Sequence, residues 1–241
     1  MQKEDKSKGN VFLIPSGLGG DRPGAIWPEE NYKVVNDLSV FIAEDLRTAR
    51  RFLRQMGYKR DFDKVEFFLL NKHTAPEELD GFLTPALKGK NIGLLSEAGC
   101  PGIADPGQDV VRIAHKKGIR VVPMVGPSSI FLALMASGFN GQHFLFHGYL
   151  PINKAERIKK MKELEQQAYQ LDQTQVFMET PFRNNKMLED LVNTCKPSTM
   201  LCIACDITTA NEFIQTHSVA HWKKQMPDLH KRLGIFLIYK P

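Results

Sequence analysis

No apolar run in the 241-residue sequence approaches the roughly 18 residues that a membrane helix needs, and the start, MQKEDKSKGN, is polar. No membrane partner is expected, and a cytoplasmic location is predicted. Cysteine is scarce: Cys100, Cys195, Cys202 and Cys205 in a chain of this size read as reduced thiols rather than disulfides. Cys202 and Cys205 form a CxxC, yet on a strand residues three apart point to opposite faces, and no second ligand pair stands at zinc spacing. No metal is expected. Repeats, heptads and low-complexity tracts are missing, which excludes solenoids and coiled coils. A dominant charge is missing too: 32 Lys and Arg against 27 Asp and Glu leave +5, a weak preference for an anionic partner. Neither GxGxxG nor GK[ST] occurs, so neither a Rossmann dinucleotide site nor a P-loop kinase is supported.

What is present describes an ordinary packed protein, 42% hydrophobic and 24% charged, long enough for two modest domains. Short β-branched or aromatic runs alternate with helically spaced segments, the pattern of βαβ units with largely parallel strands. Strands are predicted at Val11–Ile14, Val40–Ala43, Val65–Leu70, Ile92–Ser96 and Ile119–Val122. Helices fall at Asp45–Met56, Pro76–Leu87 and Gln108–Lys117, the middle one opened by a Thr74/Glu77 capping box. Two prolines and Gly126 turn the chain before a small-residue helix at Ser129–Ser137, placing the boundary between residues 1–123 and 124–241. The second half predicts strands at Phe144–Tyr149, Gln175–Glu179, Met200–Cys205, Phe213–His217 and Ile235–Tyr239, with a charged helix at Lys154–Ala168. With no long helices read between the last strands, hairpins and a mixed sheet are expected.

Three segments follow strands and could carry chemistry. Leu95–Gly107, LSEAGCPGIADPG, lies at the carboxyl end of a buried strand, where open α/β sheets bind ligands. Its Gly99, Gly102 and Gly107 permit close backbone approach, and Pro101 and Pro106 stiffen the loop. Asp105 before Pro106 reads first as a helix cap. Glu97, at the strand tip, could accept hydrogen bonds from ribose hydroxyls. Val122–Ile130, VPMVGPSSI, leads from strand to helix and could hold a polar group on free backbone N–H groups, or simply cap the helix. Ile14–Gly20, IPSGLGG, ends the first strand in a glycine turn.

In this order, with IAEDLRTARRFLRQMG from Ile42 to Gly57 and HGYLP from His147 to Pro151, these segments resemble the tetrapyrrole (corrin/porphyrin) methylase superfamily. Within it they are most similar to the ribosomal small-subunit RNA 2′-O-ribose methyltransferase I branch. The resemblance implies an α/β two-domain fold: an N-terminal, mainly parallel sheet with flanking helices, a C-terminal mixed sheet with helices, and S-adenosylmethionine in a cleft between them, in a homodimer. By position, it implies cofactor contacts at Leu18, Glu97, Gly99, Cys100, Ser128, Ser129, Met178, Cys205 and Ile235. This branch usually has aspartate where Glu97 stands, and its RNA-modifying members carry an Arg-Glu pair and a lysine where this chain has Cys205, Asp206 and Thr209. Asp21–Tyr32, which carries Trp27, reads as an enlargement of the first loop.

Methyl transfer from a sulfonium is an in-line displacement, so the protein's task is chiefly alignment. A ribose hydroxyl also gains from a nearby base. The candidates are Glu44 and Asp45 at a strand end beside Arg47, and Glu179 in the second half, set against helix capping for Asp45 and a surface carboxylate for Glu179. His73 reads as a loop hydrogen-bonder. For RNA, and ribosomal RNA first, Arg47, Arg50, Arg51 and Arg54, continued by Lys59 and Arg60, form a basic run along one helix. A second run, Lys154, Arg157, Lys159, Lys160 and Lys162, reads as a solvated helix face. DNA is not expected as a partner. Methylation of a small tetrapyrrole-like acceptor and a non-catalytic cofactor- or RNA-binding module are the competing functions.

Overall fold

The computed structural model describes residues 8–19, 26–71 and 74–241; His73 lies outside them. The chain divides into two compact units, Met1–Pro127 and Ser128–Pro241. No helix among the described residues is long and apolar enough to cross a membrane.

In the first unit, strands β1 (Val11–Ile14), β2 (Val40–Ala43), β3 (Glu66–Leu69), β4 (Ile92–Leu95) and β5 (Val121–Pro123) form one sheet in the order β3-β2-β4-β1-β5. Every pairing is parallel. The strands β2 and β4, VFIA and IGLL, are apolar throughout because both faces are covered, as parallel sheets require. Alternate side chains of β2 enter opposite cores. Val40 and Ile42 join Leu83 and Val110 below α3 (Leu79–Phe82), α4 (Thr84–Leu87) and α5 (Gly107–Lys116). Phe41 and Ala43 join Val35, Leu53 and Met56 of the face under α1 (Glu29–Asp37) and α2 (Leu46–Gln55).

Three expectations need correction here. Glu29 to Tyr32 belong to the helix α1 rather than to a loop; Pro28 precedes it and two glutamates occupy its first turn, where the helix dipole favours them. The single helix over residues 76–87 is two short ones, because Pro85 donates no backbone hydrogen bond and breaks the run after Phe82. Thr74 is no cap: its hydroxyl accepts from Asn71 N and donates to Leu69 O, while Glu78, not Glu77, reaches back to Ala75 N.

The second unit runs α6 (Ser129–Ser137), β6 (Phe144–Tyr149), α7 (Lys154–Leu171), β7 (Thr174–Glu179), α8 (Asn184–Thr194), β8 (Met200–Cys205), β9 (Phe213–Ser218), α9 (Val219–Lys224) and β10 (Gly234–Tyr239). Its sheet order is β6-β7-β10-β8-β9. Strands β6 and β7 are parallel, and the rest antiparallel, so the sheet is mixed. One face carries Phe177 stacked on Phe236 at 5.7 Å, with Met161, Leu164, Met187, Leu191 and Trp222 from α7, α8 and α9 above them. Helix α6 packs against β9 and β10. The eleven-residue α8 has no counterpart in the sequence reading, although its buried Met187, Leu188, Leu191 and Val192 have helical spacing.

Candidate active site

The carboxyl ends of β4, β1 and β5 lie side by side, so the three loops that leave them are neighbours. They are also bonded to one another. Ser16 N donates to Gly99 O at 2.9 Å and Gly99 N to Ser16 O at 3.2 Å, a small antiparallel bridge between the first two loops. The buried Ser16 hydroxyl donates to Ser96 O and the Ser96 hydroxyl to Gly99 O, each at 2.7 Å. Gly99 has φ +70°, a conformation in which a side chain would cost about 1–2 kcal/mol. At Gly126 the third loop presses on the first: a Cβ there would meet Pro15 Cβ at 2.3 Å. Trp27 Nε1 donates to Pro15 O and Asn31 Nδ2 to Val125 O, so the start of α1 fastens the outer loops. Leu18, buried, reaches across to Gly99.

Between these tips and helix α2 is a cleft of about 310 Å³ lined by Ser16, Glu44, Asp45, Thr48, Arg51 and Glu97, among others. Glu44 is half-buried, and burial is the main cause that pushes its carboxyl above the usual range; the carboxylates of Asp105 and Glu97 push it further, against one backbone hydrogen bond from Glu97. Among the described residues, no lysine or arginine forms an ion pair with Glu44, Glu97 or Asp105. Uncompensated negative charge of this kind suits a cation, and glutamate oxygens suit ribose hydroxyls as hydrogen-bond donors.

Several expected site residues have other work. Asp45 caps α2, accepting from Thr48 N at 2.8 Å, and this hydrogen bond holds its carboxyl below the usual range. Asp105 spans its own loop: one oxygen accepts from Gly102 N at 2.8 Å and Gly107 N at 2.7 Å, while burial outweighs those bonds and raises its pKa. The Cys100 thiol donates to Pro127 O at 3.5 Å and is pushed up, chiefly by burial. Ser128 stands at the N-cap of α6 but makes no capping bond through its side chain, and half-exposed Ser129 opens the helix.

The arginine run divides by its contacts. Arg50 and Arg54, one turn apart, pack on aromatic rings: the Arg54 guanidinium lies 4.2 Å from the Phe62 ring centre, and that of Arg50 5.4 Å from Phe62 and 5.7 Å from Phe67. Arg47, Arg51 and Arg54 are exposed, and Arg51 lines the cleft. In the second basic run, Arg157 is not part of a solvated face. It is buried, bonded to Asp190 Oδ2 at 2.6 Å and to the carbonyls of Pro151 and Ile152.

In the second unit, Met178 pairs with Ile235 across β7 and β10, on the face whose opposite carries Phe177, Phe236 and Ile203. Cys205, two residues beyond Ile203, points into the helix-covered core, where burial pushes its thiol up to about 12. Its side chain therefore does not share the face of Met178 and Ile235. Cys202 lies on the other face, and all four cysteines are free. Glu179 is not a surface carboxylate: it is buried and accepts from Thr180 N at 2.6 Å and Arg183 Nε at 2.9 Å.

The tetrapyrrole (corrin/porphyrin) methylases match residues 29–221 of this chain. The chain is 30% identical over 236 residues to the ribosomal RNA small subunit methyltransferase I of Escherichia coli O157:H7, across 97% of this chain and 78% of that protein. It is 28% identical over 228 residues to the protein of the same name from Halalkalibacterium halodurans, across 93% and 74%. Among solved structures, the methyltransferase CobJ superposes with a TM-score of 0.63 at 17% identity, over 96% of this chain and 94% of that one. The cobalt precorrin-4 methyltransferase CbiF gives 0.61 at 14%, over 95% and 94%. At those identities the structural likeness speaks for the fold alone. The chain belongs to the tetrapyrrole (corrin/porphyrin) methylase family. It is an enzyme, a methyltransferase whose methyl donor is S-adenosylmethionine.

Proposed function

We propose that this enzyme methylates a ribose 2′-hydroxyl of small-subunit ribosomal RNA, with Glu44 as the base that takes the hydroxyl proton. The observation that carries the reading is the setting of Glu44: a half-buried carboxylate at a strand tip, in one cleft with Glu97 and Arg51, and without a cationic partner among the described residues. Of the three candidate carboxylates, Asp45 is occupied as a helix cap, which holds its carboxyl below the usual range, and the buried Glu179 is paired with Arg183. The donor supplies a methyl group already activated for displacement by oxygen. Glu44 holds the proton that leaves the acceptor hydroxyl; a carboxyl shifted toward neutrality is a stronger base than an exposed one. Arg51, with Arg47 one turn earlier, offers charge to a phosphate of the acceptor strand. Glu97, Gly99, Cys100 and Leu18 hold the cofactor in the first unit; Ser128, Ser129, Met178 and Ile235 are the proposed contacts of the second. The relatives named as ribosomal RNA methyltransferases support the acceptor class. The same reading has the enzyme working in the cytoplasm as a homodimer, which sedimentation analysis checks.

The test is transfer of tritiated methyl from S-adenosylmethionine to small ribosomal subunits that lack the modification, beside a panel of tetrapyrroles. Label recovered as a 2′-O-methylnucleoside is expected. Label confined to a methylated base or to a tetrapyrrole, or no label at all, overturns the reading.

A further inference from the structure

Phe182 is 71% exposed although it sits on a turn bonded on all sides. The turn links β7 to α8, and its neighbour is the loop that leads into β10. Lys231 N donates to Pro181 O at 3.0 Å, and Lys231 itself takes the left-handed φ of +61° that only a well-tied loop sustains in a non-glycine residue. Buried Asn184 donates to Arg232 O at 2.6 Å, and Asn185 accepts from Leu229 N at 2.7 Å and donates to Asp228 Oδ1 at 2.8 Å. The Phe182 backbone is therefore fixed on two sides. The His230 ring meets the Phe182 ring at 6.0 Å and 69°, an edge contact that orients it without hiding it.

Arg183, which follows Phe182, is paired with Glu179, and His230 and Lys231 come from the facing loop, Lys231 with no carboxylate partner among the described residues. Arg232 is bonded to Asp206 Oδ2 at 2.6 Å and lies 5.4 Å from the Phe213 ring centre. A large flat ring, rigidly held, open to solvent and neighboured by His230 and Lys231 fits an unpaired nucleobase with its phosphate.

From this juxtaposition we infer that Phe182 is a stacking platform for an unpaired base of the RNA substrate, with His230 and Lys231 beside the adjoining phosphate. The inference rests on RNA being the acceptor, and it makes Phe182 a positioning residue rather than a catalytic one. Its test is equilibrium binding of unmodified small ribosomal subunits to the full chain and to Phe182→Ala, Phe182→Leu, Phe182→Tyr and Phe182→Trp, with S-adenosylhomocysteine binding measured in parallel. Phe182→Ala and Phe182→Leu are expected to bind about tenfold more weakly, with KM for the subunits raised more than kcat is lowered. Phe182→Tyr and Phe182→Trp are expected to bind as the unaltered chain does. S-adenosylhomocysteine binding stays the same in all four. The tryptophan variant adds a spectroscopic check: Trp27 and Trp222 are buried, so quenching of emission by RNA reports residue 182. If the leucine variant binds normally, or if Phe182→Ala changes the oligomeric state rather than RNA affinity, the platform is overturned while RNA methylation stands. If the unaltered chain neither binds nor methylates the subunits, the RNA reading falls and takes the platform with it.

Discussion

The two sheets treat a carboxylate at a strand tip in opposite ways. In the first unit Glu44 follows β2 and finds more negative charge around it, from Asp105 and Glu97, and a cleft in front of it. In the second unit Glu179 ends β7 and is covered by Arg183, while Asp206, just past β8, is bonded to Arg232. Residue type and position are alike; what differs is the counter-charge. A carboxylate left without one is costly to the fold and available for chemistry, whereas a paired one fastens loops and is spent.

The largest test of that contrast is Glu44→Gln. Loss of a general base lowers turnover by about 10²–10⁴-fold, measured as kcat on unmodified subunits. The same change should raise the melting temperature. Because the Glu44 pKa is raised in the folded state, its contribution to stability is complete below the unfolded pKa and is lost as pH rises through the folded value, so the ionised side chain works against folding at neutral pH. Glutamine removes that penalty. In the unaltered enzyme the rate should climb with pH through a range above that of an ordinary glutamate, and this limb should vanish in the variant. A variant both slower and less stable would break the contrast.

Glu179→Ala is the converse. It removes the buried partner of the pair, leaving Thr180 N unsatisfied and Arg183 without its carboxylate, so about 3 kcal/mol of stability should go, read by urea unfolding. At temperatures where the variant is folded, kcat should hold. A kcat loss on the scale of Glu44→Gln would make Glu179 a candidate base again.

Gly126→Ala should cost less, about 2 kcal/mol, because its Cβ would strike the ring of Pro15, which cannot rotate aside. The effect to look for is local. S-adenosylhomocysteine affinity should fall by more than stability does, since the clash separates the first and third loops. Equal losses would mean that the loops do not form one binding surface.

Much of this was legible in the sequence. The strand runs stood out because sheets covered on both faces need unbroken apolar stretches, and the glycine loops because only certain residues can follow a strand tip so tightly. The helices α1 and α8 were less visible: each begins with polar residues, and α8 opens with Asn184 and Asn185, which read as loop until their bonds to the β10 loop are seen. Pairings over long separations were out of reach. Nothing local announces that Arg157 meets Asp190, or that His230 lies against Phe182. The Cys205 orientation could have been read, since it shares parity with Ile203 and Phe236 shows which face is core.

The smallest effect concerns the arginines, where contacts with Phe62 and Phe67 set Arg50 and Arg54 apart from Arg47 and Arg51. Arg51→Ala should weaken subunit binding a few-fold and flatten the dependence of log K on log salt by about one unit, as expected when one phosphate is no longer neutralised. Arg54→Ala removes a guanidinium that stacks on Phe62 and donates to Tyr58 O, so it should cost roughly 1 kcal/mol of stability and leave the salt slope unchanged. If both variants flatten the slope equally, the basic helix acts as an undivided charged surface. If only Arg51 does, the flank of α2 that lines the Glu44 cleft is the one that meets RNA, and the uncompensated carboxylate and the exposed arginine belong to a single acceptor site.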